Sequence, residues 1–156
     1  ELCREHPDVQ VNAVSAAGAR QSFVLLDGNG RAFLGLPNID NRGRAYMAQV
    51  PEHDEIYRLS GKWATEDFGA AKLLGLRMQH PEQYEAVESV LSLSEWIAWI
   101  FTGRKVMEYT QACESQLYDI GQRSWSQTLC SFYGLRPAFL PPLQAAVTAV
   151  APILDT

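Results

Sequence analysis

The chain has 156 residues, 47% hydrophobic, 20% charged and 10% aromatic, which is the profile of one soluble globular domain rather than a disordered chain. Its formal charge of -5 and scattered basic residues exclude the Lys and Arg clusters that a nucleic-acid or anionic-membrane surface needs. The most apolar run, Trp96 to Phe101, is far short of the ~20 residues that cross a bilayer, and three distant cysteines, Cys3, Cys113 and Cys130, suggest neither a disulfide framework nor a zinc site. A reducing, cytoplasmic setting follows.

In chain order, Glu1 to Pro7 reads as the tail of a helix stopped at a proline, so the natural chain is expected to begin earlier. Val9 to Val14 alternates apolar and polar residues, the pattern of a strand with one buried face. A loop of small residues, Ser15 to Ala19, comes next and ends in Arg20 and Gln21. Phe23-Val24-Leu25-Leu26, Asp27-Gly28-Asn29-Gly30 and Arg31-Ala32-Phe33-Leu34 then predict an antiparallel hairpin, because Asp-Gly and Asn-Gly tolerate a positive φ.

From Pro37 a polar loop carries Asp40 and Arg42, and a helix is predicted through Ala45, Met47 and Val50, ended by Pro51. Phe68, Ala71, Leu74 and Met78 recur at helical spacing between Thr65 and Gln79. Another helix is predicted from Pro81, burying Tyr84, Val87 and Val90 or Leu91. Ser92 with Glu95 forms a capping box ahead of Trp96, Ile97, Ile100 and Phe101, with Gly103 as the stop. The same pattern recurs at Ser124 and Gln127, ahead of Trp125, Leu129 and Phe132, with Gly134 as the stop. Pro137, Pro141 and Pro142 then precede a last apolar helix or a linker. A strand like Val9 to Val14 normally has neighbours, so further strands upstream are expected to complete the sheet.

Familiar catalytic patterns are missing from the chain. No P-loop or dinucleotide fingerprint occurs, and Gly28-Asn29-Gly30 is a hairpin turn. An EF-hand fails because Arg31 stands where an oxygen ligand is required. His6, His53 and His80 lie far apart at helix boundaries, no G-x-S-x-G elbow occurs, and Glu52, Asp54 and Glu55 read as a solvated acidic run. Two loops carry more chemistry. Arg20-Gln21 offers a guanidinium and an amide to a polyhydroxy ligand, whose hydroxyls need paired donors and acceptors out of water. Asp40 and Arg42 could pair with each other or with a hydroxyl.

Read together, these segments resemble the FGGY carbohydrate kinases. Val11 to Ser15 followed by Arg20 to Asp27 resembles that family's strand, substrate dipeptide and hydrophobic-Leu-Asp strand, and Pro37 to Arg42 its N-x-D-x-R loop. Tyr57 to Gly61 resembles Tyr-x-x-Thr-Gly. Ser92 to Ile97 with Phe101-Thr102-Gly103 resembles S-D-W-L and L-T-G. Glu108 to Ser115 resembles D-Y-T-N-A-S-x-T, and Trp125 with Leu140-Pro141 completes the order. The polyol and autoinducer-2 branch fits best.

The resemblance implies an α/β fold, here part of a ribonuclease-H-like, actin-like ATPase domain with a small sheet and a large helical portion. Residues 1–156 would form an incomplete N-terminal, sugar-binding domain, without the ATP-binding C-terminal domain. It also implies ATP and Mg²⁺ in the parent enzyme, none held by this piece alone, and a small sugar or polyol as substrate. Arg20 and Gln21 match the substrate-contacting dipeptide, Tyr109 an aromatic against the substrate, and Asp40 a loop position near that cleft. Gln21 replaces a frequent Glu and Cys113 a serine. The phosphate segment would precede Glu1 and the catalytic base would follow Thr156, so the piece is expected to be inactive without the remainder of its own chain. A free-standing, non-catalytic carbohydrate-binding domain is the alternative, with a homodimer left open.

Overall fold

The computed structural model describes residues 2–6 and 8–154, with the side chains of residues 2 and 3 outside the description. Helix α1, Leu2–Glu5, agrees with the predicted helix tail, while its proline stop at Pro7 lies outside the described residues.

The sheet grows from strand β1, Phe23–Leu26, every residue of which is buried. Strand β2, Ala32–Leu36, pairs with it antiparallel as the predicted hairpin, with Phe23 opposite Leu36 and Leu25 opposite Leu34. The turn closes because the Asp27 carboxylate accepts from the amides of Asn29 (2.9 Å) and Arg31 (2.8 Å), and Gly30 takes φ +76°. The other edge of β1 is occupied by β3, Ser89–Ser92, also antiparallel, which gives the order β2-β1-β3.

Successive side chains of β1 point to opposite faces, so the strand serves two cores. Phe23 and Leu25 join the main core with Leu36, Ile56, Leu73 and Leu76. Val24 and Leu26 join Leu91 beneath Trp96 and Trp99 of α5, Leu93–Thr102. Helix α3, Gly69–Gln79, covers the first face and is buried over its first two turns, Gly69 to Leu76. The mixed α/β arrangement with a small sheet therefore stands as expected.

Several elements differ from the reading by pattern. Val9 to Val14 forms no strand among the described residues, and Val9, Val11 and Val14 are exposed. Both edges of β1 are taken by β2 and β3, and the segment pairs with neither of the sheet's outer edges. The helix through Ala45 is a 3₁₀ helix, Arg44–Gln49. Helix α2, His53–Ser60, was not foreseen, because its first-turn carboxylates Asp54 and Glu55 read as a solvated run although they suit a helix N-terminus. The helix from Pro81 is only α4, Pro81–Glu85, and Val90 and Leu91 belong to β3. Met78 is exposed, as are Ile100 and Phe101 of α5.

Beyond α5, β4 (Met107–Glu108) leads into α6 (Tyr109–Ser115), then β5 (Tyr118–Asp119), β6 (Ser124–Trp125) and α7 (Gln127–Phe132). Ser126, not Ser124, caps α7, its hydroxyl accepting from the Leu129 amide, because Ser124 is held in the β5–β6 pair. No last helix forms among the described residues. Leu143–Gln144 is instead β7, parallel to β4, and the Trp125 indole N–H donates to the Pro141 carbonyl at 2.7 Å.

The α5 start keeps half of its capping box: Ser92 Oγ accepts from the Glu95 amide at 3.5 Å, but the Glu95 carboxylate accepts from the Ser94 hydroxyl and the Glu108 amide instead of the Ser92 amide, and Gly103 closes the helix at φ +65°. Ser92→Ala is expected to cost about 1 kcal/mol in urea denaturation, the usual value of a helix cap. An unchanged midpoint would show that packing alone holds this helix start.

Candidate functional site

Four residues are the candidates from sequence: Arg20, Gln21, Asp40 and Tyr109. Arg20 and Gln21 form a turn directly before β1, anchored where the Leu93 amide of α5 donates to the Ser22 carbonyl at 3.1 Å. Gln21 adopts φ +59°, a left-handed conformation that a long side chain takes only when its surroundings hold it there. The holding group is Lys72 of α3, whose ammonium donates to the Gln21 carbonyl at 2.6 Å.

Lys72 also reaches the carbonyls of Pro37 (2.9 Å) and Asn38 (3.2 Å), so one buried cation joins the Arg20-Gln21 turn to the loop that carries Asp40. Burial pushes its ammonium below the usual lysine range, with Asp40 and Asp67 opposing the shift. Sequence reasoning passed over this residue. Its signal was a lone lysine in the otherwise apolar run Gly69-Ala70-Ala71-Lys72-Leu73-Leu74, since a lysine is buried only when its charge finds partners.

Asp40 and Arg42 pair with each other. The Asp40 carboxylate accepts from the Arg42 backbone amide at 3.0 Å and from its guanidinium at 2.8–3.0 Å, in the bidentate geometry that arginine makes well. Burial pushes the Asp40 carboxyl up, but the Arg42 hydrogen bonds and the charges of Arg42 and Lys72 outweigh it and hold it below its ordinary range. The loop lies tight on α3: a Cβ at Gly43 would stand 2.1 Å from the Ala71 carbonyl oxygen, and one at Gly75 would stand 2.5 Å from the Arg42 carbonyl carbon.

Tyr109 opens α6, half-buried, with the Tyr118 ring 6.0 Å away and the Arg123 guanidinium 5.6 Å over its face. Five residues further along α6, the largely buried Glu114 carboxylate meets Lys62 at 3.3 Å and Arg20 at 3.9 Å. Five residues of helix rise about 7.5 Å and turn about 140° around the axis, so Arg20 and Tyr109 lie against different faces of one helix. The Arg20 contact is loose and its side chain is 78% exposed, which leaves most of its donors free. Lys62 also lies 5.0 Å from the centre of the Phe68 ring. A chain of contacts thus runs from α6 through Glu114, Arg20, Gln21 and Lys72 to the Asp40 loop.

A cleft of about 650 Å³ lies elsewhere, between the extended segment 12–18, helix α5 and residues 144–153. None of the four candidates lines it. Its buried carboxylate is Glu95, raised by burial although the Ser94 hydroxyl and the Glu108 amide donate to it. Among the described residues, no group of three or more His, Cys, Asp or Glu side chains could hold a metal ion.

Residues 1–155 match the model of the FGGY family of carbohydrate kinases, N-terminal domain. A protein of Bacillus subtilis (strain 168) named "Putative sugar kinase YoaC" is 41% identical over 148 residues, which covers 95% of this chain and 30% of that protein. Autoinducer-2 kinase of Salmonella choleraesuis (strain SC-B67) is 29% identical over 153 residues, covering 94% of this chain and 29% of that protein. Of solved structures, ligand-bound xylulose kinase from Lactobacillus acidophilus aligns with a TM-score of 0.86 at 20% identity, covering 97% of this chain and 32% of that one. Gluconate kinase from the same organism aligns at 0.87 and 20% identity, over 98% and 32%. The chain therefore spans about 30% of the length of the curated relatives it matches, and its fold is that of these kinases.

Proposed function

The chain belongs to the FGGY family of carbohydrate kinases, and from that premise we propose that it forms part of the sugar-binding domain of an ATP-dependent kinase, which phosphorylates a hydroxyl of a small sugar or polyol. The observation that carries this reading is the contact chain itself: an exposed guanidinium beside the helix that Tyr109 opens, joined through Lys72 to the Asp40 loop. Arg20 and the Gln21 amide would bind substrate hydroxyls, and Tyr109 would pack against the carbon skeleton. Asp40, its oxygens already engaged by Arg42, would fix the loop rather than bind a hydroxyl alone.

ATP and Mg²⁺ supply the phosphoryl group and its charge neutralisation, and the residues present fit neither: no glycine-rich phosphate loop occurs, and among the described residues no group of three or more His, Cys, Asp or Glu side chains could hold a metal ion. We assign both to the remainder of a longer chain, with the catalytic base. The exposed Val9, Val11 and Val14 and the cleft beside α5 offer that remainder a seat. A cytoplasmic location accords with this reading, and among the described residues no helix is long and apolar enough to cross a membrane.

Thermal-shift measurements with glycerol, xylitol and D-xylulose test the site. At least one is expected to raise the melting temperature saturably, by an amount equivalent to about 2.7 kcal/mol at a hundredfold excess over Kd. Arg20→Ala should abolish that rise. A shift that survives in Arg20→Ala removes the guanidinium from the site, and phosphorylation of any of the three by the 156-residue protein would contradict its inactivity alone.

A further inference from the structure

We infer that Lys72 is a positioning residue, whose ammonium sets the spacing between the Arg20-Gln21 turn and the Asp40 loop and so decides whether the two can meet one ligand. Its three protons have three acceptors, the carbonyls of Gln21, Pro37 and Asn38, at 2.6, 2.9 and 3.2 Å. An ammonium has three donors and no acceptor, so this group is fully used and has none left for a substrate. The acceptors come from two segments more than a dozen residues apart in the chain, and β1 and β2 separate them. No carboxylate lies within ion-pair distance of Lys72 among the described residues, so the carbonyls alone hold the charge directly. That arrangement fixes geometry more than it neutralises charge: removing the cation frees three part-buried carbonyls at once, on both loops. The left-handed Gln21 is the residue most exposed to its loss.

Arg20, Gln21 and Asp40 as ligand contacts rest on the function proposed above, whereas the spacing of the loops is measurable without a ligand. Amide hydrogen exchange reads the loops directly, at the Asp40 amide bonded to the Pro37 carbonyl and the Arg42 amide bonded to the Asp40 carboxylate. In Lys72→Met both are expected to exchange at least tenfold faster, while amides of α2 change less than twofold. Lys72→Gln, which can donate to two of the three carbonyls, should give a smaller increase and serves where the Met variant does not fold. In the unaltered protein, the two loop amides should exchange at rates close to those of α3. Loop amides at least tenfold faster than α3 in the unaltered protein, or unchanged in either variant, would overturn the inference.

The ligand readout is separate. With xylitol as the probe, the concentration giving half the maximal thermal shift should rise about tenfold in Lys72→Gln, and an unchanged midpoint makes the lysine a packing residue only. Absence of any shift with glycerol, xylitol and D-xylulose alike in the unaltered protein would remove the proposed function and leave the exchange result standing.

Discussion

Gly43→Ala should lower stability by about 3 kcal/mol, near the upper end for an added methyl group in a packed interior. Its Cβ would come 2.1 Å from the Ala71 carbonyl oxygen and 2.5 Å from the Ala71 carbonyl carbon, both backbone atoms of a buried helix that cannot rotate aside. Backbone conformation is not the obstacle, because Gly43 has φ −76°, which alanine takes readily. Only separation of the loop from α3 can relieve the contact. For a domain of this size the loss corresponds to a fall of roughly 10 °C in melting temperature. Gly28→Ala is the control, since nothing lies within 4 Å of a Cβ there and an effect within about 0.5 kcal/mol is expected. Urea denaturation of the two variants decides the matter, and equal midpoints would show that the loop does not rest on α3 as described. The same separation would pull the Asp40–Arg42 pair away from Arg20, so any polyol-induced shift should weaken in Gly43→Ala as well.

Gln116→Ala is expected to cost about 4 kcal/mol. Gln116 follows α6 in a left-handed conformation, fully buried, and its amide uses both ends. The nitrogen donates to the carbonyls of Lys62 (3.0 Å) and Trp63 (2.9 Å), and the oxygen accepts from the Tyr133 hydroxyl at 2.6 Å. Truncation leaves the Trp63 carbonyl and the buried Tyr133 hydroxyl without their partner, and the part-buried Lys62 carbonyl with only the Ser60 hydroxyl at 3.1 Å; a polar group orphaned in the interior costs about 1–3 kcal/mol. Tyr133→Phe removes only the last contact and should cost about 1 kcal/mol. The double variant should then show a coupling energy of about 1 kcal/mol between the two positions, as expected for groups in one network. Additivity would mean that the Tyr133 hydroxyl contributes nothing through Gln116. Because Gln116 holds the backbone of Lys62, its loss also frees the ammonium that faces Glu114, which connects this packing network to the Arg20 side of the site.

The parts legible in the sequence were those whose cause is local. The hairpin from Phe23 to Leu36 carries its own turn chemistry in Asp27 and Gly30, and α5 carries both its cap, Ser92, and its stop, Gly103. Elements decided by distant partners were not legible. Ser89-Val90-Leu91-Ser92 has no flanking turn signal and becomes a strand because β1 has a free edge to offer, while Val9 to Val14 has the period of a strand but pairs with no strand among the described residues. Ser124 and Ser126 are equally good caps by composition, and the pairing of Ser124 with Asp119 selects the second. The same division holds at the site. Arg20, Gln21, Asp40 and Tyr109 could be named from order and spacing, but Lys72, Glu114 and Gln116 make the contacts that join their segments across 34 to 94 residues of chain.

Pairing of β1 with β3 has a consequence for the order of folding. Its last rung joins Leu26 to Ser89, about sixty residues apart, whereas the β1–β2 hairpin closes over a few residues. The entropy lost in closing a loop grows with its length, so the hairpin can assemble as a local nucleus while β3 must wait for α2, α3 and α4 to draw the chain back. The Lys72 contacts bridge much of the same interval, so the Arg20-Gln21 turn and the Asp40 loop come into register only late in assembly.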